Sequence, residues 1–251
     1  MKKMDIERAA AVLVNARRTR THLQGLPDGL KPTTVDEAYA IQAAVSRQLG
    51  KLIAGFKAIV PPGEGPTIAM LYGGTIHASP ATMPVRDVPH CGVEAEVAFR
   101  FNRDFPARAT PYSLDEVAAG MDCCAAIEVV SGRFDLKAQI PNLERLADGI
   151  LNGGFVHGDL KSDWRGLDLG KQRVTLAVNG QTIVDQEGGH ATGDPLGVAV
   201  ALVNAWTPHG GVRKGQFATC GSFTGLRYIN PGDVCTISFA GLGSARVEFA
   251  V

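Results

Sequence analysis

Short apolar segments separated by glycine- and proline-containing turns make up most of the chain after residue 50. Their lengths and their content of Val, Ile and Phe are typical of β-strands. We predict strands at 51–60, 93–101, 123–130, 154–157, 173–178, 182–186, 216–220, 234–239 and 245–250. The 30 glycines and 14 prolines fit the many turns that such strands need. Segment 61–80 is rich in Gly and Pro and has no clear periodicity, and segment 131–153 is predicted to be irregular.

Helical periodicity is strongest before these strands. Helices are predicted over 6–20, 34–49, 113–122 and 194–205. In the second of them Thr34 can cap the first turn, with Glu37 three residues later, and Gly50 ends the helix. In the last of them Asp194 is the predicted cap, and Pro195 takes the first helical position.

The order of these elements indicates the fold class. Two helices come first, and strands with a few inserted helices follow, which is typical of an α+β fold with a mainly antiparallel or mixed sheet. We therefore predict an N-terminal helical region at 1–50 and a β-rich domain at 51–251, which together form one continuous functional unit. The sequence has neither a glycine-rich dinucleotide fingerprint after a strand nor a P-loop motif, so neither nucleotide-binding class is supported.

The composition argues against several kinds of partner. Lys+Arg and Asp+Glu number 25 each, so there is no basic excess of the kind that binds nucleic acid. No window of about 18 consecutive apolar residues is present, and charges interrupt the N-terminal MKKMDIERAA, so neither a membrane span nor a secretory signal is predicted. The five cysteines form no C-x-x-C pair and are predicted to be reduced, buried thiols of a cytoplasmic protein.

Two glutamates are unusual residues for the predicted strand 93–101. In the stretch GVEAEVAF, Glu94 and Glu96 are separated by one residue, so their side chains point to the same side of the strand. One explanation is an exposed face, on which both side chains are solvated while the alternate apolar residues turn inward. This strand alone leaves that explanation open.

A third glutamate favours a metal site. Glu128 lies in the apolar run AAIEVV, which is typical of a strand buried on both faces, and a buried charge requires a partner. A cation such as Arg133 could pair with it, or one divalent metal ion could neutralise all three carboxylates. Oxygen ligands without His or Cys favour a hard cation such as Mg²⁺ or Mn²⁺. Three protein ligands would leave coordination positions open for a chelating substrate such as a 2-oxo acid.

Five motifs also occur in a characteristic order along the chain. They are G-F-K at 55–57, E-A-E-V-A-F at 94–99, A-A-I-E-V-V at 125–130, D-P-L-G-V-A-V-A-L-V-N-A at 194–205 and G-S-F-T-G at 221–225. With the two N-terminal helices and the closing P-G-D-V…F-A-G-L-G-S-A-R-V-E-F, they make most of the chain similar to the fumarylacetoacetate hydrolase superfamily. The resemblance is closest to its 2-keto-4-pentenoate hydratase / 4-oxalocrotonate decarboxylase branch.

This resemblance implies a fold, a ligand set and an assembly. The implied fold is a rolled, mixed β-sheet core with an N-terminal helical region, and 51–251 would be the catalytic domain. The implied ligands of Mg²⁺ or Mn²⁺ are Glu94, Glu96 and Glu128. Members of the family commonly form homo-oligomers and act on small-molecule 2-oxo acids, so we expect both here, with no nucleic-acid or membrane partner.

Three further residues are candidates for the site. Lys57 could be a strand-end lysine that reaches solvent, but the resemblance places a lysine here beside the metal, where a lowered pKa would allow proton transfer. Ser222, or the backbone N–H groups beside it, could bind the substrate carboxylate, or 221–225 could be an ordinary turn. Asp148 partly matches a family aspartate and is predicted to bind substrate, while Asn152 matches a polar position.

The segment 61–80 departs most from the family pattern. In hydratases the corresponding segment shapes the substrate pocket and supplies a proton-transfer partner, whereas Glu64 is the only acid in this one. The identity of the substrate, and the hydration step itself, therefore stay open.

The expected activity is that of a metal-dependent lyase in the catabolism of aromatic compounds. Its substrate would be a short unsaturated 2-oxo or 2-hydroxy acid, such as 2-hydroxypenta-2,4-dienoate or 4-oxalocrotonate, and Lys57 would move the proton during hydration or decarboxylation. A C–C bond hydrolase of the acylpyruvate type is an alternative, but it needs a histidine base near a carboxylate, and His22 has no Glu three residues later. A second alternative is a non-catalytic family member whose metal only holds the fold together.

Overall fold

Helices precede strands along the chain. A computed structural model describes residues 1–61 and 63–251, so Pro62 of the predicted loop after the first strand lies outside the described residues. The helices are α1 (Lys3–Thr19), α2 (Val35–Leu49), α3 (Leu114–Ala118), α4 (Asn142–Ala147) and α5 (Pro195–Trp206), with 3₁₀ turns at Trp164–Gly166, Leu169–Lys171 and Thr207–His209. The strands are β1 (Ile53–Ile59), β2 (Thr67–Tyr72), β3 (Ile76–Ala78), β4 (Ala81–Pro84), β5 (Gly92–Phe101), β6 (Met121–Val130), β7 (Asn152–His157), β8 (Arg173–Val178), β9 (Gln181–Glu187), β10 (Phe217–Ser222), β11 (Arg227–Tyr228), β12 (Val234–Phe239) and β13 (Gly243–Ala250).

The strands form two mixed sheets. The larger sheet has the order β2-β1-β10-β5-β6-β7-β3, with β11 paired to β5 beside this path. Its β1/β10 and β3/β7 pairs are parallel, and the others are antiparallel. The edge strand β2 contacts β7 across the sheet, so the sheet curls into a roll. The second sheet has the order β4-β13-β12-β8-β9, and its β12 and β13 pack against β6. This architecture confirms the predicted α+β fold with a rolled, mixed β-sheet core.

Both faces of the central strands of the roll are buried. On the outer face of β5, Val97 and Phe99 belong to the main hydrophobic core. On its inner face, Ala98 packs with Phe155 and Phe217 in a second, smaller apolar cluster. Because alternate residues of a strand point to opposite faces, the two glutamates of β5 share this inner face.

The N-terminal helices are joined to the roll by buried polar contacts. Gln42 of α2 donates from Nε2 to the carbonyl oxygen of Leu146 (2.6 Å) and accepts at Oε1 from the backbone N–H of Met70 (2.7 Å). The Tyr72 hydroxyl donates to the Gln42 carbonyl oxygen (3.1 Å). The predicted domain boundary at residue 50 stays a prediction. Among the described residues, no helix is long and apolar enough to cross a membrane.

The predicted helix signals at the long helices are confirmed. The Thr34 hydroxyl accepts a hydrogen bond from the Glu37 backbone N–H, and Gly50 ends α2 in the left-handed conformation. Asp194 accepts from the Gly197 N–H at the start of α5, and proline occupies the first turn. The five cysteines are free and buried, as predicted.

Two sequence-based predictions are wrong, and the strands of one segment were not predicted. The segment 61–80, which has no clear periodicity, contains β2 and β3; β2 is almost entirely buried, so its sequence lacks the alternation that marks a half-exposed strand. The segment 131–153 contains α4 and the first residues of β7. The helix predicted at 113–122 ends at Ala118, because Met121 and Asp122 already pair with β5 as the start of β6.

Candidate metal centre

Three carboxylates meet on the inner face of the roll. Glu94 and Glu96 lie two residues apart on β5, and Glu128 of β6 is the direct register partner of Glu94. One carboxylate oxygen of each residue lies within 4.8 Å of the others. Glu96 and Glu128 are 0% exposed, and Glu94 is only partly exposed. The exposed-face explanation of these glutamates is therefore wrong.

The carboxylate of Glu96 has one oxygen held by the protein and one without a partner. Its Oε2 accepts hydrogen bonds from the Thr219 hydroxyl and from the Gly221 backbone N–H, the latter at 3.0 Å. Its Oε1 is buried and makes no hydrogen bond. Both donors belong to β10, whose pairing with β5 brings them beside the glutamate.

Glu128 also has one oxygen that accepts hydrogen bonds and one that accepts none from the described residues. Its Oε1 accepts from Lys57 Nζ (2.9 Å) and from Asn152 Nδ2 (3.1 Å). The ammonium also lies 2.9 Å from Oε2, but only its approach to Oε1 has hydrogen-bond geometry, so Oε2 is buried without a hydrogen bond. Arg133, the cationic partner considered from sequence, does not fill this role, because its guanidinium pairs with Asp148.

The charge of this cluster is only partly compensated. Burial, followed by the charges of Glu128 and Glu94, raises the pKa of Glu96 to about 8. Burial and the charge of Glu128 also raise the pKa of Glu94. Three ionised carboxylates and one ammonium carry a formal charge of minus two, which one divalent cation would balance. Carboxylate oxygens are hard anionic ligands, and one oxygen of each glutamate lies within 4.8 Å of the others, which fits Mg²⁺ or Mn²⁺.

Lys57 is buried beside the carboxylates. Its side chain enters the roll from β1, where Lys57 pairs with Thr219 of β10, and it is 7% exposed, so the solvent-reaching alternative is wrong. Its Nζ also lies 3.9 Å from Glu94 Oε2 and 3.4 Å from the Ile150 carbonyl oxygen. Burial lowers the pKa of Lys57, but the carboxylates, led by Glu128, raise it more. The predicted lowering of this pKa refers to the site with a bound cation, and it stays a prediction.

Ser222 lies next to the carboxylates. It is the register partner of Glu96, its Oγ is buried, and its side chain is close enough to Glu94 to lower the pKa of that carboxyl against the effects of burial and Glu128. The neighbouring Gly221 N–H donates to Glu96, so of the groups predicted here for the substrate carboxylate, the hydroxyl is the one that Glu96 does not hold. Its role in substrate binding stays a prediction.

Asp148 is fully engaged by arginines. Its Oδ1 lies 2.6 Å from Arg133 Nε and 3.3 Å from Arg17 Nη1, and its Oδ2 accepts from the Arg133 backbone N–H (2.9 Å). Burial is the main reason that the pKa of Arg17 is lowered to about 10. This geometry favours a structural role for Asp148, which holds the turn after β6, over the predicted contact with substrate.

Asn152 lies between the carboxylates and a cavity. This cavity has a volume of about 350 Å³ and lies between the end of α1, β2 and the turn after β6; Asn152, Tyr72, His22 and Asp148 are part of its lining. The residue that donates to Glu128 therefore also lines this space. Glu64, the only acid of the divergent segment, is exposed in a turn.

Sequence reasoning missed one donor at the site. Thr219 is an ordinary residue of a β-rich segment in the sequence, and only the pairing of β10 with β5 shows that its hydroxyl faces Glu96. For Asn152 there was only a weak indication in the sequence, a polar residue at a position matched to the family. For Lys57 the motif G-F-K gave a strong indication of a place in the site.

Comparisons with known proteins identify similar enzymes. No protein-family model matches the chain. The chain is 28% identical to a 2-keto-4-pentenoate hydratase of Paraburkholderia xenovorans (strain LB400) over 256 residues, which cover 97% of this chain and 94% of that enzyme. Among solved structures, 4-oxalocrotonate decarboxylase from Pseudomonas putida G7, complexed with magnesium and adipate, superposes with a TM-score of 0.85 at 20% identity over 99% of this chain and 98% of that chain.

A more distant structure has the same fold. Fumarylpyruvate hydrolase from Pseudomonas aeruginosa, in complex with Mn²⁺ and pyruvate, superposes with a TM-score of 0.58 at 12% identity, covering 78% of this chain and 88% of that chain. At these identities both structural matches describe a shared fold.

Proposed function

We propose that the chain is a divalent-metal-dependent lyase of the 2-keto-4-pentenoate hydratase / 4-oxalocrotonate decarboxylase branch of the fumarylacetoacetate hydrolase superfamily. The proposed substrate is a short unsaturated 2-oxo or 2-hydroxy acid of aromatic catabolism, which the enzyme hydrates or decarboxylates. The observation that carries this proposal is the convergence of three glutamates beside a buried lysine, with Oε1 of Glu96 buried and without a hydrogen bond from residues 1–61 or 63–251.

Mg²⁺ or Mn²⁺ is the proposed cofactor, and Glu94, Glu96 and Glu128 are its proposed ligands. Their donor set supports this assignment, because hard divalent cations prefer carboxylate oxygens. When bound, such a cation supplies a Lewis acid for the carboxylate and C2 oxygens of a 2-oxo acid. The protein holds the second oxygen of Glu96 and of Glu128, which fixes the orientation of both carboxylates before any ligand arrives.

Lys57 is the proposed proton carrier. It lies 2.9 Å from Glu128 and 3.9 Å from Glu94, so its ammonium is at the edge of the carboxylate cluster. Glu128 and the Ile150 carbonyl restrain the ammonium, so that the substrate would meet a proton donor of fixed position. The buried hydroxyl of Ser222 is the proposed hydrogen-bond donor to the substrate carboxylate.

The apolar interior of the roll would keep water away from the reacting carbons. Leu71, Phe155 and Phe217 are buried on the same face as the glutamates and pack together beneath them. Phe155 and Phe217 have ring centroids 5.5 Å apart, and the His157 ring stacks on Phe217 at 4.7 Å. A low dielectric constant around these apolar side chains strengthens the electrostatic contacts of the neighbouring charged groups.

The hydrogen bonds of the histidines support the lyase hypothesis more than the hydrolase alternative. A hydrolase needs a histidine base oriented by a carboxylate. Among the hydrogen bonds of residues 1–61 and 63–251, none joins a histidine to a carboxylate. His157 instead contacts the Gly158 carbonyl oxygen through Nδ1.

A direct assay tests the proposed activity. The purified chain is mixed with 2-hydroxypenta-2,4-dienoate or 4-oxalocrotonate and Mg²⁺ or Mn²⁺, and the diene absorbance is followed. We expect a loss of absorbance that a chelator abolishes and that Glu96→Gln removes. Glu187→Gln, which changes an exposed strand glutamate of β9, should keep the activity. Turnover without metal, or full turnover in Glu96→Gln, would refute the proposal.

A homo-oligomeric, cytoplasmic state completes the proposal. Large exposed apolar side chains, among them Leu52 and Leu136, support burial against a second copy. Five free thiols support a reducing compartment. Light scattering of the purified chain should give a mass well above 26.5 kDa, and a monomer would contradict the assembly.

A further inference from the structure

A buried histidine lies behind the turn that holds Glu96. His190, in the segment between β9 and α5, is 8% exposed, and its ring packs against Phe223 with centroids 5.2 Å apart. Its Nε2 lies 2.6 Å from the carbonyl oxygen of Cys220. The proposed reaction uses none of its atoms directly, so its burial and its polar contacts require another explanation.

The contacts of His190 fix which ring nitrogen carries the proton. Its Nδ1 lies 3.2 Å from the Thr192 hydroxyl, and that hydroxyl already accepts from the Asp194 backbone N–H (3.3 Å). The Cys220 carbonyl oxygen can only accept, so in the neutral ring Nε2 carries the proton and donates to it. Nδ1 is then the acceptor, and the Thr192 hydroxyl donates to it.

The carbonyl that His190 engages belongs to the same peptide unit as a donor to Glu96. The C=O of Cys220 and the N–H of Gly221 lie in one plane and point in opposite directions, because the peptide bond is trans. Nε2 of His190 binds one end of this unit, and Oε2 of Glu96 accepts from the other end at 3.0 Å. A hydrogen bond at the carbonyl polarises the peptide and strengthens donation by its N–H.

Glycine is required where the histidine meets this turn. Gly221 has a φ of 108°, which L side chains rarely adopt, and a Cβ there would lie 3.0 Å from His190 Nε2. The segment around the histidine is fixed to the same turn from the other side, because Gln186 Nε2 donates to the Phe223 carbonyl oxygen (2.8 Å). The ring and the turn are thus held in one relative position.

We propose that His190 is a positioning residue for the metal centre: through the Cys220–Gly221 peptide it holds Glu96 with one oxygen engaged and the other free for a cation. The inference rests on the proposed function, because Glu96 must be a metal ligand. His190 itself touches neither the proposed cation nor the substrate. Replacing such an outer residue typically weakens metal affinity by about 10- to 100-fold.

Calorimetric titration of the full chain with Mn²⁺ tests this role. His190→Phe and His190→Met remove the Nε2–H donor with side chains of different shape, whereas His190→Gln keeps an N–H donor at a similar reach. We expect the two donor-free variants to bind Mn²⁺ about 10-fold or more weakly, and the glutamine variant to stay within a few-fold of wild type. His209→Phe, which changes an exposed histidine of the Trp206 cluster, is the matched control and should bind as wild type.

The outcomes separate this inference from the proposed function. A purely packing role would lower the melting temperature of all three variants without a difference in Mn²⁺ affinity between glutamine and the donor-free residues. If a folded donor-free variant binds Mn²⁺ with wild-type affinity, the role of His190 is overturned and the metal centre stays intact. The same conclusion follows if the glutamine variant binds Mn²⁺ as weakly as the donor-free variants. A wild-type chain that binds no Mn²⁺ overturns both.

Discussion

Glu96 and Glu128 share one arrangement of their oxygens. Each has one oxygen held by two donors of the protein and one buried oxygen that accepts no hydrogen bond. Burying such an oxygen costs free energy of folding unless a ligand binds to it. Oε1 of Glu96, which has no donor among the described residues, therefore indicates where a cation would bind, more sharply than the presence of three glutamates alone.

Glu128→Gln should weaken Mn²⁺ binding by at least about 10-fold, because a hard-cation site loses one charged ligand. Glutamine keeps the shape and can still accept from Lys57 Nζ, so the change tests charge more than packing. Calorimetry measures the affinity, with Glu187→Gln as the control. An unchanged affinity would mean that Glu128 is not a ligand.

Lys57→Met should separate metal binding from catalysis. The variant keeps an unbranched side chain but loses the ammonium, so kcat should fall by about 10²- to 10⁴-fold. Its Mn²⁺ affinity should be retained or increased, because a positive charge 2.9 Å from Glu128 is removed. Steady-state kinetics and calorimetry on the same preparation give both values. Unchanged kcat would exclude Lys57 as the proton carrier.

Mn²⁺ affinity should rise with pH up to about 8. Burial raises the pKa of Glu96 to about 8, so below that pH the carboxyl is mainly protonated, whereas a cation binds the ionised form. Binding at pH 7 should therefore release a proton, and the affinity should fall as the pH is lowered. Titrations in buffers of different ionisation enthalpy measure the release. Equal affinity at pH 6 and pH 8 would contradict the raised pKa.

At the scale of elements, strand pairing explains the motif G-F-K. Gly55 and Lys57 both face the roll interior from β1, and Gly55 is the register partner of Phe217 on β10. A Cβ at Gly55 would lie 2.7 Å from the Phe217 carbonyl oxygen, so glycine permits the close approach of β1 and β10. That approach places Lys57 next to Thr219 and the carboxylates.

Gly55→Ala should destabilise the fold and reduce activity, because β10 must shift to admit the methyl group. Overpacking of this kind costs about 1–3 kcal/mol. Gly65→Ala is the matched control, since a Cβ there meets nothing within 4 Å. Denaturant unfolding and the diene assay measure the two effects. Equal stability of both variants would show that the β1/β10 spacing does not depend on Gly55.

Element prediction succeeded where one face of a strand is exposed. The bounds of β8 and β12 agree with the predicted 173–178 and 234–239, because alternation and flanking turns mark both ends. Prediction failed at β2, which is buried on both faces and follows a glycine- and proline-rich loop. The short helix α4 was missed because six residues carry too little periodicity.

At the scale of the whole molecule, the sequence determines which residues face the site but not how they are held there. The spacing of Glu94 and Glu96 and the apolar surroundings of Glu128 are local signals, and they were sufficient to predict the cluster. The donors that orient these carboxylates come from β1, β7 and β10, which are distant in sequence. Such long-range contacts follow from strand order, which a single sequence does not specify.

The most direct test of the central claim is a crystal structure of the protein soaked with Mn²⁺ and oxalate, with the anomalous signal of manganese measured. We expect one manganese peak per chain, in contact with Glu94, with Oε1 of Glu96 and with Oε2 of Glu128. Oxalate should bind on the open side of the ion. A manganese peak elsewhere, or no peak between these three carboxylates, would contradict the central claim.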